Sequence, residues 1–225
     1  MIALEKSARA HVVDAHTQEL VRQMNNLKTV RYYRGMEFIV YPRVFFPLPH
    51  SSSLKGITKK DIAIYNGKRV LDVGCGTGLW SVIAALSGAQ EVTAVDNNSD
   101  AINNTYENCR KYKLTDKIKI VESDLFNNVS GTYDVIIGYL PIVPRAVDAV
   151  WQYAVFDPDF LIHQRFFHGV KNYLAKNGII KMVHASKGDS PSFEAMVREH
   201  ELIIDKKTSS QKFGHTWHFY NLKLQ

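Results

Sequence analysis

The chain has 225 residues, 45% hydrophobic and 22% charged, which is the composition of one folded domain with a modest appendage and excludes a disordered tail or a membrane protein. Its formal net charge is +6, yet the basic residues are scattered, and even the densest clusters (Lys59-Lys60, Arg110-Lys111-Lys113, Lys206-Lys207) read as solvated faces rather than a nucleic-acid track. No apolar run approaches the roughly 18–20 residues of a membrane helix, and no secretory signal opens the chain, so a cytoplasmic protein with Cys75 and Cys109 as free thiols is expected.

The first 28 residues carry Leu4, Ala8, Val12, Ala15, Leu20, Met24 and Leu27 at helical steps with charges between, which predicts an amphipathic helix. Alternation at Val30 and Tyr32, an Arg34-Gly35 turn, and alternation again at Phe38 and Val40 predict a hairpin. Phe45-Phe46-Pro47-Leu48-Pro49 cannot be helical, because each proline lacks a donor and restricts its predecessor. A polar connection follows from Ser51 to Lys60. Residues 1–58 thus read as an N-terminal helix and β-hairpin extension, a lid or a dimer contact, and residues 59–225 as the main domain.

From Arg69 onward strands alternate with helices. Strands are predicted at Val70–Val73, Glu91–Val95, Ile118–Val121, Asp134–Ile137, Ile179–Val183, Leu202–Asp205 and Thr216–Leu224. Helices are predicted at Leu79–Leu86, Ser99–Tyr112 with Ser99 as cap, Leu161–Leu174, and Phe193–His200. This alternation implies an α/β fold, a Rossmann-like seven-stranded, mostly parallel sheet with helices on both faces.

Asp72-Val73-Gly74-Cys75-Gly76-Thr77-Gly78 follows the first of these strands and opens a helix, where glycines let a ligand approach free backbone amides. Leu79 stands where a dinucleotide fingerprint needs glycine, and no Gly-Lys-Ser/Thr is present for a phosphate loop. The acid two residues before the first glycine suits a ligand with an ammonium group. Asp96, 18 residues after Gly78, with Asn97 beside it, ends the second strand where an acid binds ribose hydroxyls. Ser123-Asp124-Leu125 ends the third, offering a carboxylate to an exocyclic adenine amine and an apolar neighbour to the ring. A nucleoside with a cationic amino-acid tail fits all three positions, which describes S-adenosylmethionine, with S-adenosylhomocysteine as product.

On these motifs the sequence resembles the class I, Rossmann-like S-adenosylmethionine-dependent methyltransferases over about residues 60–225. Pro47 and Pro49 with Ser51, preceded by Tyr33-Arg34-Gly35, Phe38 and Val40, resemble more specifically the P-R-P-E-T segment of the release-factor glutamine methyltransferases. The resemblance implies that Pro47 and Ser51 help close the cofactor site, and that Cys75 belongs to the cofactor loop. After the fourth strand that family carries N-P-P-Y, whose asparagine orients a planar nitrogen acceptor; here the chain reads Gly138-Tyr139-Leu140-Pro141-Ile142.

With the side-chain amide replaced and a short extension in front, the expected acceptor is an N or O nucleophile of a small metabolite. Methylation of an RNA base or a protein side chain is the alternative, as is a non-catalytic cofactor-binding module. Tyr139, His50 and His184 are the candidates for acceptor positioning or proton removal. Trp151, Tyr153 and Phe156 either cover the pocket or belong to the core. His215 and His218 sit three apart in a strand, face opposite sides and cannot clamp one ion, so no metal is expected.

Overall fold

The computed structural model describes residues 14–25, 27–47, 62–212 and 214–225. Helix α1 (Ala15–Met24) is capped by Asp14, whose carboxylate accepts from the Thr17 amide at 2.9 Å and from the Thr17 hydroxyl at 3.0 Å. It buries Thr17, Leu20 and Met24, one stripe of the helix. The hairpin β1 (Thr29–Tyr33) and β2 (Met36–Val40) closes through Arg34 and Gly35 at φ of 50° and 77°, the twist that a two-residue turn requires.

The main sheet contains β3 (Arg69–Val73), β4 (Glu91–Asp96), β5 (Ile118–Glu122), β6 (Tyr133–Gly138), β7 (Leu174–Ala185), β8 (Leu202–Lys212) and β9 (His215–Leu224). Their order is β5-β4-β3-β6-β7-β9-β8; β9 runs antiparallel to both of its neighbours and the other pairings are parallel. The chain leaves β3 for β4 on one side and returns to β6 on the other, so the crevice at the ends of β3 and β6 is the topological switch point where such sheets bind ligands.

Strand alternation sorts the core into two layers. Val70, Val135 and Ile137 face helices α2 (Leu79–Leu86) and α3 (Ser99–Lys111), while Leu71, Val73 and Ile136 face α4 (Leu161–Val170) and α5 (Ser190–Glu199). Helix α2 is buried almost all round, because the hairpin adds Tyr33 and Phe38 to the same cluster. The hairpin is held there by side chains. Asn104 and Asn108 on α3 accept from the Tyr41 and Ile39 amides at 2.8 and 2.9 Å, and both donate to the Ile39 carbonyl at 2.8 Å. Asn108 also donates to Thr77 O at 2.9 Å, tying hairpin and glycine loop to one helix. Both amides are fully buried, so their bonds are made without competition from water.

Three local expectations are corrected. Asn98 rather than Ser99 caps α3, its side chain accepting from Asp100 N at 3.0 Å. Helix α4 stops at Val170, not at residue 174, because Leu174 already pairs with Tyr133 in the sheet; the Asn177-Gly178 pair is a bulge inside β7, with Asn177 at φ 65°. β8 continues to Lys212 as an exposed polar edge, its register supplied by β9. The Ser51–Lys60 connection and the helical positions before residue 14 lie outside the described residues.

Candidate active site

A cavity of about 530 Å³ opens at the switch point, within the range of small-molecule sites. One end is built by the glycine loop. Gly74 and Gly76 adopt φ of 76° and 56°, and a Cβ on Gly74 would meet nothing within 4 Å, so its backbone borders open space. The Phe45 carbonyl lies 3.5 Å from where a Gly76 Cβ would stand, which puts the segment ending at the buried Pro47 over the loop. Asp96 accepts from Gly76 N and Asn98 N at 3.0 Å each and lines the cavity with Asn97. Burial raises the pKa of Asp96 above the usual carboxylate value, against the lowering effect of those amides.

Ser123, Asp124 and Leu125 form the adjoining wall. The Ser123 hydroxyl donates to Leu125 O and accepts from Asn128 N at 3.0 Å each, so it shapes the turn; Leu125 sits at φ 50°. Asp124 Oδ2 accepts from Arg165 at 2.7 Å, which leaves its other oxygen for a ligand.

Two residues expected to touch the ligand stand behind the loop. Asp72 is 2% exposed, lies off the cavity lining and accepts from the Ser81 hydroxyl at 2.6 Å; burial pushes its carboxyl up to about 7. Gly78 packs on α3, where an added Cβ would stand 2.9 Å from Thr105 Cγ2. Cys75 reaches the cavity wall but places its sulfur 3.3 Å from the Thr105 hydroxyl, and burial raises its thiol well above the ordinary value. Cys75 and Cys109 are free.

The opposite end continues from Tyr139 through Ile142 and Val143 to Trp151 and Tyr153, and on to His16 and Leu20 of α1, Lys187 and Trp217. Tyr139 stands edge-on to Trp80 with ring centroids 5.1 Å apart. Phe156 belongs to the core cluster behind this wall, whereas Trp151 and Tyr153 line the cavity itself.

His184 does not reach the site, which corrects its expected role. It is fully buried on the far face of β7, stacked on Phe193 at 4.6 Å with Nδ1 3.3 Å from Ser190 Oγ, and burial drives its pKa down to about 2. Its neighbour Val183 faces the cavity, as strand alternation demands, and the chain returns there only at Lys187. His50 and Ser51 lie outside the described residues. Residue patterns gave no signal for Lys187 or His16. Trp80, next to the glycine loop, was open to inference from its place at the helix start.

The family model described as the methyltransferase small domain matches residues 55–209. The chain belongs to that family. It is an S-adenosylmethionine-dependent methyltransferase, and the cavity fits that cofactor: open space beside Gly74, a desolvated carboxylate at Asp96, and a half-exposed one at Asp124. The methyltransferase is 33% identical over 158 residues to a "putative protein N5-glutamine methyltransferase" of Methanocaldococcus jannaschii, covering 68% of this chain and 77% of that one. It is 38% identical over 88 residues to the ribosomal protein L11 methyltransferase of Thermosipho melanesiensis, spanning 39% of this chain and 33% of that protein.

Among solved structures, Methanocaldococcus jannaschii Trm5 in complex with adenosine gives a TM-score of 0.66 at 18% identity over 89% of this chain and 57% of that one. Ribosomal protein L11 methylase of Lactobacillus delbrueckii subsp. bulgaricus gives 0.58 at 18% identity, over 74% and 78%. These likenesses establish the fold. The expectation of a small-metabolite partner, with nucleic acid unlikely, is overturned: the sequence relatives are named for protein acceptors, and aTrm5, of the same fold, is solved with tRNALeu.

Proposed function

We propose that this methyltransferase acts on a nitrogen of a polypeptide side chain. The observation that carries the reading is that one continuous cavity joins the glycine loop to the aromatic end beyond Tyr139, so a cofactor and an inserted side chain share a single desolvated space. Relatives above 30% identity are named for protein acceptors, which favours protein over RNA; the RNA enzymes share the fold.

Bound S-adenosylmethionine supplies an electrophilic methyl on a sulfonium. The open backbone at Gly74 would border its amino-acid tail, Asp96 and Asn97 would hold the ribose, and the second oxygen of Asp124 with Leu125 the adenine. Asp72, Gly78 and the Ser123 hydroxyl act one layer back, fixing the loops that carry those contacts. Phe45 and Pro47 border the cofactor end, with His16 and Leu20 of α1 closing the acceptor end. Tyr139, edge-on to Trp80, positions the incoming nitrogen in line with the methyl group.

Incubating the enzyme with methyl-tritiated cofactor and a cell extract tests this. Label that survives ribonuclease and is released by protease supports the reading. Label removed by ribonuclease, or passing a small-molecule filter, overturns it. Tyr139→Phe should slow transfer at least tenfold with cofactor affinity unchanged.

A further inference from the structure

The acceptor end of the cavity has an unusual chemistry for a nitrogen site. Of the described residues lining the cavity, the only carboxylates are Asp96 and Asp124, and the only side-chain amides are Asn97 and Asn98, all at the cofactor end. The acceptor end is walled instead by Trp80, Tyr139, Trp151, Tyr153 and Trp217, with Phe45 overhead. Besides the tyrosine hydroxyls, its polar side chains include the basic groups Lys187 and His16. Lys187, following β7, has a side chain only 6% exposed; its ammonium donates to Thr17 Oγ1 at 2.9 Å and lies 5.5 Å over the Trp217 ring. His16 stands edge-on to the same ring at 6.1 Å.

We propose, resting on the methyl-transfer reading above, that the acceptor is an aliphatic primary amine which sheds its proton on entering this aromatic, cation-flanked end, with no side-chain base required. A planar amide would find no side-chain amide or carboxylate partner there, in keeping with the replacement of asparagine by Tyr139. Among the described residues lining this end no carboxylate meets an ammonium leaving water, and the Lys187 ammonium stands close by, so the neutral amine is the form that enters. Of the described residues on the cavity lining, the basic groups are His16 of α1, Arg43 from the segment after β2, Lys187 after β7, and Arg165 of α4, which is paired with Asp124; Asp14 of α1 and His215 of β9 stand behind the lining. Asp14 is engaged by Thr17, 3.9 Å from Lys187 and 3.6 Å from His215.

The protein's own basic groups report the same environment. Burial and Lys187 together depress His16 to about 4, and burial lowers Lys187 itself despite Asp14. The balance is simple. The ammonium gives its proton to solvent on entry, the nitrogen lone pair forms the new N–C bond as the S–C bond breaks with its electrons passing to sulfur, and the methylated ammonium leaves carrying the charge that sulfur lost.

Calorimetric titration with Nα-acetyl-lysine methylamide, and with its glutamine counterpart, tests the proposal on the whole protein, with and without S-adenosylhomocysteine. Running each titration in two buffers of different ionisation heat counts the protons released. The expected result is close to one proton released per lysine ligand near pH 7.5, affinity rising about tenfold per pH unit below the amine's own pKa, and the glutamine ligand at least tenfold weaker. Lys187→Gln should strengthen lysine-ligand binding several-fold by removing one cation; should that variant not fold, the wild-type titrations decide alone. Lysine binding without proton release, binding no tighter than glutamine, or no binding at all overturns the proposal. Failure of S-adenosylhomocysteine to bind would instead strike the cofactor assignments, because the titrations without it stand by themselves.

Discussion

Asp72→Asn should stabilise the ligand-free protein increasingly as pH rises. The carboxyl is 2% exposed, receives one hydrogen bond at 2.6 Å from Ser81, and has the like charge of Asp96 nearby; burial is the largest cause of its rise from 3.8 to about 7. In the unfolded chain it ionises first, so between the two values the unfolded state binds fewer protons and stability falls with rising pH. A difference of about three pH units corresponds to about 4 kcal/mol once both states are ionised, of which about 2–3 kcal/mol develops between pH 5 and pH 8. Asparagine preserves the shape and an oxygen for Ser81, although its amide nitrogen brings a desolvation cost of about 1–3 kcal/mol that is the same at every pH. Urea unfolding of both proteins near pH 5, 6.5 and 8 isolates the pH-dependent part from the constant one. A stability difference that stays flat across this range would refute the reasoning, because it would mean that Asp72 ionises in the fold as it does in water.

Asp96→Ala should weaken S-adenosylhomocysteine binding about 10- to 150-fold, the equivalent of one charge-assisted hydrogen bond of about 1.5–3 kcal/mol, as measured by calorimetry; unchanged affinity would remove the ribose assignment. Asn108→Ala strips buried bonds from Ile39 N, Ile39 O and Thr77 O and should cost about 2–4 kcal/mol in chemical unfolding. His184→Phe should leave methyl transfer intact and blunt acid sensitivity. The folded state cannot protonate His184 until about pH 2, so stability is full above 6.5 and drains away below it; the variant should spare about 2–3 kcal/mol of the loss between pH 6.5 and 4.5, read from unfolding curves.

The sheet and the cofactor end were legible in the sequence because their signals are local. Glycine spacing after a buried strand places Gly74 and Gly76, and acids at successive strand ends place Asp96 and Asp124 on the cavity wall. What was not legible depends on contacts distant in the chain. Asn104 and Asn108 look like the polar stripe of α3, yet they are buried against a backbone more than 60 residues earlier. His184 was chosen because it stands near the carboxyl end of a strand, but alternation turns it into the α4–α5 layer and hands the cavity to Val183 and, past the strand, to Lys187. Asp72 was taken as a ligand contact on spacing alone; its neighbour Ser81, nine positions on, claims it for the loop instead. Substrate identity is harder still, since Tyr139 acquires its setting from Trp80 on another element.

The asparagine clamp has a consequence for how this molecule can change over generations. Asn104 and Asn108 recognise amide hydrogens and carbonyl oxygens of residues 39 and 41, atoms that every amino acid except proline supplies alike. Outward side chains such as Val30 and Tyr32 therefore carry little duty of attachment, which among the outward set falls to Glu37 through its ion pair with Lys111 of α3. A lineage can rewrite Val30 or Tyr32 without dislodging the piece, whereas either asparagine is hard to exchange. The fastening behaves as a socket that accepts interchangeable fittings, so the outer face of the hairpin can diverge between relatives while the helix that grips it stays constant.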